Sequence, residues 1–73
     1  MDQISLDNRG LPPPEPMVRA LRALEDLVDG QELVVFMDRE PFILYRELQR
    51  RGFEWEFEEA GRVLTIRRAI GLD

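Results

Sequence analysis

The chain has no cysteine, no histidine and no lysine. Lack of cysteine excludes a disulfide framework, thiolate chemistry and any cysteine-based zinc site. Lack of histidine and lysine removes the commonest general base and the Schiff-base nucleophile. Long apolar runs are missing as well: the longest, Leu33 to Met37, is five residues, against the roughly 20 a membrane-spanning helix needs. The start, Met1-Asp2-Gln3-Ile4-Ser5, has neither a basic nor an apolar stretch, so no signal peptide is expected and the cytoplasm is the expected compartment.

Positive charge is also scarce. Ten arginines face fifteen acidic residues, for a net charge of -5 and a pI near 4.7. The arginines are scattered, and only Arg50-Arg51 and Arg67-Arg68 are adjacent. Phosphate backbones and anionic membrane surfaces repel such a chain, so neither a nucleic acid nor a membrane is an expected partner. With 73 residues and an apolar fraction of 44%, one small core in a single domain over residues 1–73 is expected.

Hydrophobic spacing divides the chain into six elements. Gln3 to Asp7 alternates, with Ile4 and Leu6 on one face, and reads as a strand. After Asn8-Arg9-Gly10 comes Pro12-Pro13-Pro14-Glu15-Pro16, whose three consecutive prolines favour an extended polyproline conformation. Met17, Ala20, Leu21, Leu24, Leu27 and Val28 recur at helical steps, with Pro14 or Pro16 in the first turn and Asp29-Gly30 as the stop. Glu32 to Asp38 reads as a central strand, with Leu33, Val35 and Met37 towards the helices and Val34 and Phe36 on the wetter face. A second helix runs from Pro41 to about Arg51, with Leu44, Tyr45 and Leu48 inward and Gly52 past its end.

Phe53 to Glu58 alternates aromatic and carboxylate residues, a strand with one core face and one wet face. Turning through Glu59-Ala60-Gly61-Arg62, it pairs with Val63 to Arg68. Centring the loop on Ala60-Gly61 sets Phe57 opposite Leu64, Trp55 opposite Ile66 and Glu54 opposite Arg67. A one-residue slip would put Trp55 against Thr65, so the apolar pattern selects the first register. Trp55, Phe53 and Phe57 are expected in the core, and residues 69–73 as a loose tail.

The order β-α-β-α-β-β implies an α/β chain of the two-layer α+β sandwich kind. Right-handed crossovers put both helices on one face of a mixed four-stranded sheet, with the last strand antiparallel. Both crossover loops then leave the carboxyl ends of parallel strands, where open sheets place ligand sites. Asp7, Arg9, Pro12, Pro13, Glu15, Asp38, Arg39, Glu40 and Phe42 are therefore the candidate interaction edge. The same residues fit a plainer reading, in which Asp38 and Glu40 cap the second helix and the arginines are solvated.

Asp7, Gly10-Leu11 and Pro14-Glu15-Pro16 resemble the LDxxGLxCPxP signature of the TusA/SirA-like sulfur-carrier proteins. The resemblance extends to length and element order, and implies their fold. Where that family carries its persulfide cysteine, this chain has Pro13. With RGLPPPEP and DREPF, it looks like a cysteine-less, uncharacterised branch (a domain of unknown function) of the superfamily. A cysteine at a helix start is activated by free N–H groups and the helix dipole. Here Pro12, Pro14 and Pro16 delete donors and Glu15 adds negative charge, so the carrier chemistry does not transfer.

These readings favour a non-catalytic interaction or regulatory module rather than an enzyme, with no cofactor. Its partner is another protein, met by the proline-arginine loop edge or by the open sheet face at Val34 and Phe36; the oligomeric state is left open. An alternative is a small-molecule or metal-binding protein or enzyme using Asp7, Asp38 and Glu40. A second is an RNA-binding module, since the layering resembles the C-terminal domain of translation initiation factor 3.

Overall fold

A computed structural model describes residues 2–69. The elements follow the expected order: β1 (Gln3–Asp7), α1 (Glu15–Glu25), β2 (Glu32–Phe36), α2 (Phe42–Arg50), β3 (Phe53–Glu58) and β4 (Val63–Arg68). The four strands form one mixed sheet in the order β1-β2-β4-β3. β1 and β2 are parallel, and β4 runs antiparallel to both β2 and β3. β4 thus lies between two strands that precede it in the chain.

Strand parity is as the alternation requires. Leu33, Val35 and Met37 are buried beside Leu64 and Ile66, under Ala20, Leu24, Leu44 and Leu48 of the two helices. Each fully buried leucine contributes about 1.5–3 kcal/mol of transfer free energy. The hairpin register sets Phe57 opposite Leu64, Trp55 opposite Ile66 and Glu54 opposite Arg67. On the open face, Arg67 lies 3.5 Å from Glu54, 3.8 Å from Glu56 and 3.9 Å from Glu32.

Four details depart from the sequence expectations. The prolines do not form an extended rod. The first N–H after the proline run is that of Glu15, and it closes onto the Pro12 carbonyl at 3.0 Å, making Pro12–Glu15 a turn. Next, α1 ends at Glu25 with Asp26 as its cap, before Asp29-Gly30. The Asp26 and Leu27 N–H groups bond three residues back, to Ala23 and Leu24, a tightened last turn that still buries Leu27. Val28 is then left exposed, and its N–H and carbonyl are both taken by Gln31. β2 stops at Phe36 rather than Asp38, although Met37 stays buried and its N–H reaches the Arg62 carbonyl. Finally, Trp55 and Phe57 are only half-buried, because β3 is a terminal strand of the sheet. Trp55 is covered by Tyr45 of α2, with ring centroids 4.9 Å apart and planes 18° from parallel.

Of the expected tail, Ala69 bonds through its N–H to the Gly52 carbonyl; residues 70–73 lie outside the described residues.

Candidate functional site

The parallel pairing of β1 and β2 sends both crossover loops off the same edge of the sheet. Gly10 takes a positive φ of 79°, a backbone conformation that glycine adopts without strain. Its N–H then donates to Asp38 Oδ2 at 2.8 Å, tying the β1–α1 loop to the β2–α2 loop. Asn8, 1% exposed, anchors the first loop twice. Its backbone N–H bonds the Phe36 carbonyl at 2.9 Å, and its side-chain Nδ2 donates to the Pro16 carbonyl at 2.8 Å. Its Oδ1 is buried with no hydrogen-bond partner among the described residues, a deficit that native interiors seldom carry.

Between the two loops lies a cleft of about 410 Å³, within the size range of small-ligand sites. Its wall is mainly apolar: Leu11, Pro13, Pro14, Pro16, Met17, Met37, Pro41, Phe42, Ile43 and Leu44, with Asn8, Asp38, Arg39 and Glu40 as the polar members. Phe42 is 68% exposed and Ile43 is 74% exposed, although both are large and apolar.

Of the nine expected edge residues, the cleft brings together Pro13, Asp38, Arg39, Glu40 and Phe42. Asp7 and Arg9 sit apart from it on the open face, paired with each other through two side-chain contacts of 2.9 Å. The Arg9 guanidinium lies 5.5 Å from the Phe36 ring centroid, covering part of that face. Hydrogen bonds from the Arg9 side chain and backbone hold the Asp7 carboxyl down to about 2, and Asp7 raises Arg9 in turn. Pro12 and Glu15 close the turn before α1 and lie outside the lining.

The capping reading of Asp38 and Glu40 is corrected. Among the described residues no side-chain hydrogen bond caps the start of α2. Asp38 serves the Gly10 N–H, and Glu40 Oε2 accepts the Tyr45 hydroxyl at 2.9 Å. Burial, followed by that bond to Glu40, pushes the Tyr45 phenol well above its ordinary range, so it stays protonated. Asp7, Asp38 and Glu40 thus serve three different partners, and among the described residues no three acidic side chains are placed to hold a metal ion. At the α1 start the Glu15 and Val18 N–H groups are bonded to Pro12 and Pro14, and Pro16 has none, which leaves little for an anion.

Sequence reasoning missed Asn8, Leu11, Pro14, Pro16, Met17, Met37, Pro41, Ile43 and Leu44 as members of this wall. One signal was available. Ile43 falls off the inward stripe of Leu44, Tyr45 and Leu48, so it had to face solvent at the loop edge.

The fold and the cleft define a small two-layer α+β protein with an apolar recess at the carboxyl ends of two parallel strands. The chain belongs to the family of uncharacterized conserved proteins (DUF2249), whose model matches residues 5–68 and so takes in both loops and every element except the first two residues of β1. No curated protein and no solved structure matches it.

Proposed function

We propose that the chain is a non-catalytic, TusA/SirA-like interaction module that holds an apolar group of a partner protein in the cleft between its two crossover loops. One observation carries the reading: Phe42 and Ile43, two large apolar side chains, stand exposed on the wall of an apolar recess. Exposed apolar patches bounded by polar residues mark binding surfaces, and Arg39 and Glu40 supply the polar boundary. The resemblance to sulfur carriers supports the architecture. Pro13 in place of the cysteine, with the α1 start depleted of donors, supports a role other than sulfur transfer.

The test places a photo-crosslinking phenylalanine analogue at position 42 in cells, with position 29 at the far end of the molecule as control. One protein should be captured from position 42 and not from position 29. After purification it should bind the chain at least about tenfold more weakly when Phe42 and Ile43 are both changed to Ala. Equal capture from the two positions, or unchanged affinity of the double variant, refutes the reading.

A second reading takes the mainly apolar cleft as a site for a small apolar molecule, which would raise the melting temperature by native-state binding. The RNA reading gains no support, since on the open face Glu32, Glu54 and Glu56 surround Arg67 and Asp7 pairs with Arg9.

A further inference from the structure

β3 ends the sheet, and its outer side carries backbone groups that pair with no strand among the described residues. Their identity follows from the ladder. The Ala69 N–H bonds the Gly52 carbonyl at 2.9 Å, in line with the Phe53–Arg68 register. Antiparallel alternation then turns the backbone of Glu54 and Glu56 towards β4 and that of Phe53, Trp55 and Phe57 outward. The Met37 N–H to Arg62 carbonyl bond on the other flank of β4 gives the same parity.

The side chains along this edge are sorted by sign. Glu54, Glu56 and Glu58 lie on the open face, and Glu56 is 76% exposed. Among the described residues Arg67 is the one cation paired with Glu54 and Glu56, while Glu58 accepts the Gly61 N–H. On the opposite face Trp55 and Phe57 are half-buried, leaving aromatic surface at the rim.

We propose that the β3 edge receives an extended basic segment of another protein as an added strand. Lysine or arginine at every second position faces Glu54, Glu56 and Glu58, and the intervening apolar residues cover Trp55 and Phe57. Neighbouring strands lie about 4.8 Å apart, so long cationic side chains reach the carboxylates directly across the pair. Main-chain bonds supply affinity and the alternation supplies selectivity. The same carboxylate row argues against a second copy of this chain, since pairing two such edges sets like charges side by side in molecules of net charge -5.

The experiment titrates the intact chain with three peptides: one alternating lysine and valine over eight residues, its block isomer with all lysines first, and the alternating peptide N-methylated on the residues that bond the edge. Trp55, the only tryptophan, reports binding by fluorescence, and amide exchange reports the site. The alternating peptide should bind, more weakly in high salt, and slow exchange at Phe53, Trp55 and Phe57 at least about tenfold. The E54Q/E56Q/E58Q variant, altered only at exposed side chains, should bind it at least about tenfold more weakly. The proposal is overturned if the alternating peptide does not bind, if either control peptide binds as well, if the variant binds equally, or if protection falls on β1.

Discussion

The hydrogen bond from the Gly10 N–H to Asp38 Oδ2 is the direct tie between the two loops that wall the cleft, and Asp38→Ala removes it. A hydrogen bond to a charged group is worth about 1.5–3 kcal/mol. Asp38 is exposed and water competes for the amide, so about 1 kcal/mol is expected here. In a domain of this size that lowers Tm by roughly 4–8 °C. Asp38→Asn keeps an acceptor oxygen without the charge and should recover about half of the loss. Stability alone cannot separate this account from a helix cap, because removing a cap costs a similar ~1 kcal/mol. Residue-resolved amide exchange does separate them. In Asp38→Ala the Gly10 amide should exchange faster, while the first-turn amides of α2, already bonded to Glu40 and Pro41 carbonyls, keep their rates. Faster exchange at Phe42 and Leu44 with Gly10 unchanged would refute the loop tie and restore the cap.

Tyr45, the only tyrosine, allows its ionisation to be followed by ultraviolet absorbance. Its raised phenol pKa means that stability is fully present below the ordinary value of ~10 and falls as pH rises above it, so its alkaline transition should coincide with unfolding. Tyr45→Phe keeps the stack on Trp55 and loses the bond to Glu40, costing about 0.5–1.5 kcal/mol in urea denaturation. Asp7, held near 2 by Arg9, adds stability above the ordinary carboxyl range that is lost as pH falls towards 2. In Arg9→Ala, carbon-detected titration should move its midpoint up from about 2 but short of the ordinary ~3.9, because the backbone N–H of residue 9 still donates to Asp7 Oδ1. Leu48→Ala should cost about 2–5 kcal/mol and leave little folded protein by circular dichroism, since so small a core rarely supplies more than ~3–5 kcal/mol. Half-buried Trp55→Ala should fall below the ~3–5 kcal/mol of a fully buried tryptophan.

Periodicity made the elements legible because one residue of slip would carry a whole apolar set to the wrong face. Leu33, Val35 and Met37, and the Phe57–Leu64 and Trp55–Ile66 pairs, are fixed in this way. The meeting of the two loops was legible too, since it follows from parallel strands and right-handed crossovers. The partners inside the site were not. Asp38 and Glu40 sit where caps sit, and only tertiary placement gives them Gly10 and Tyr45 instead. Asn8 reads as a turn residue, yet it is buried because the fold brings the Phe36 and Pro16 carbonyls to it. The half-exposure of Trp55 depends on strand order, and alternation within a strand does not report which strand is outermost.

The strand order β1-β2-β4-β3 also sets a timetable for synthesis. As the domain leaves the ribosome, residues up to Glu58 contain β1 paired with β2 and, separately, α2 with β3. Neither half can join the other, because the strand between them is made last. Val63 to Arg68 supplies both the partner of β2 and the partner of β3, so the sheet closes in one late event that depends on non-local contacts. Until then β2 and β3 present open flanks, and Leu33, Val35, Trp55 and Phe57 lack their β4 neighbours Leu64 and Ile66. A translation pause just before Val63 would therefore hold the nascent domain in its most aggregation-prone form.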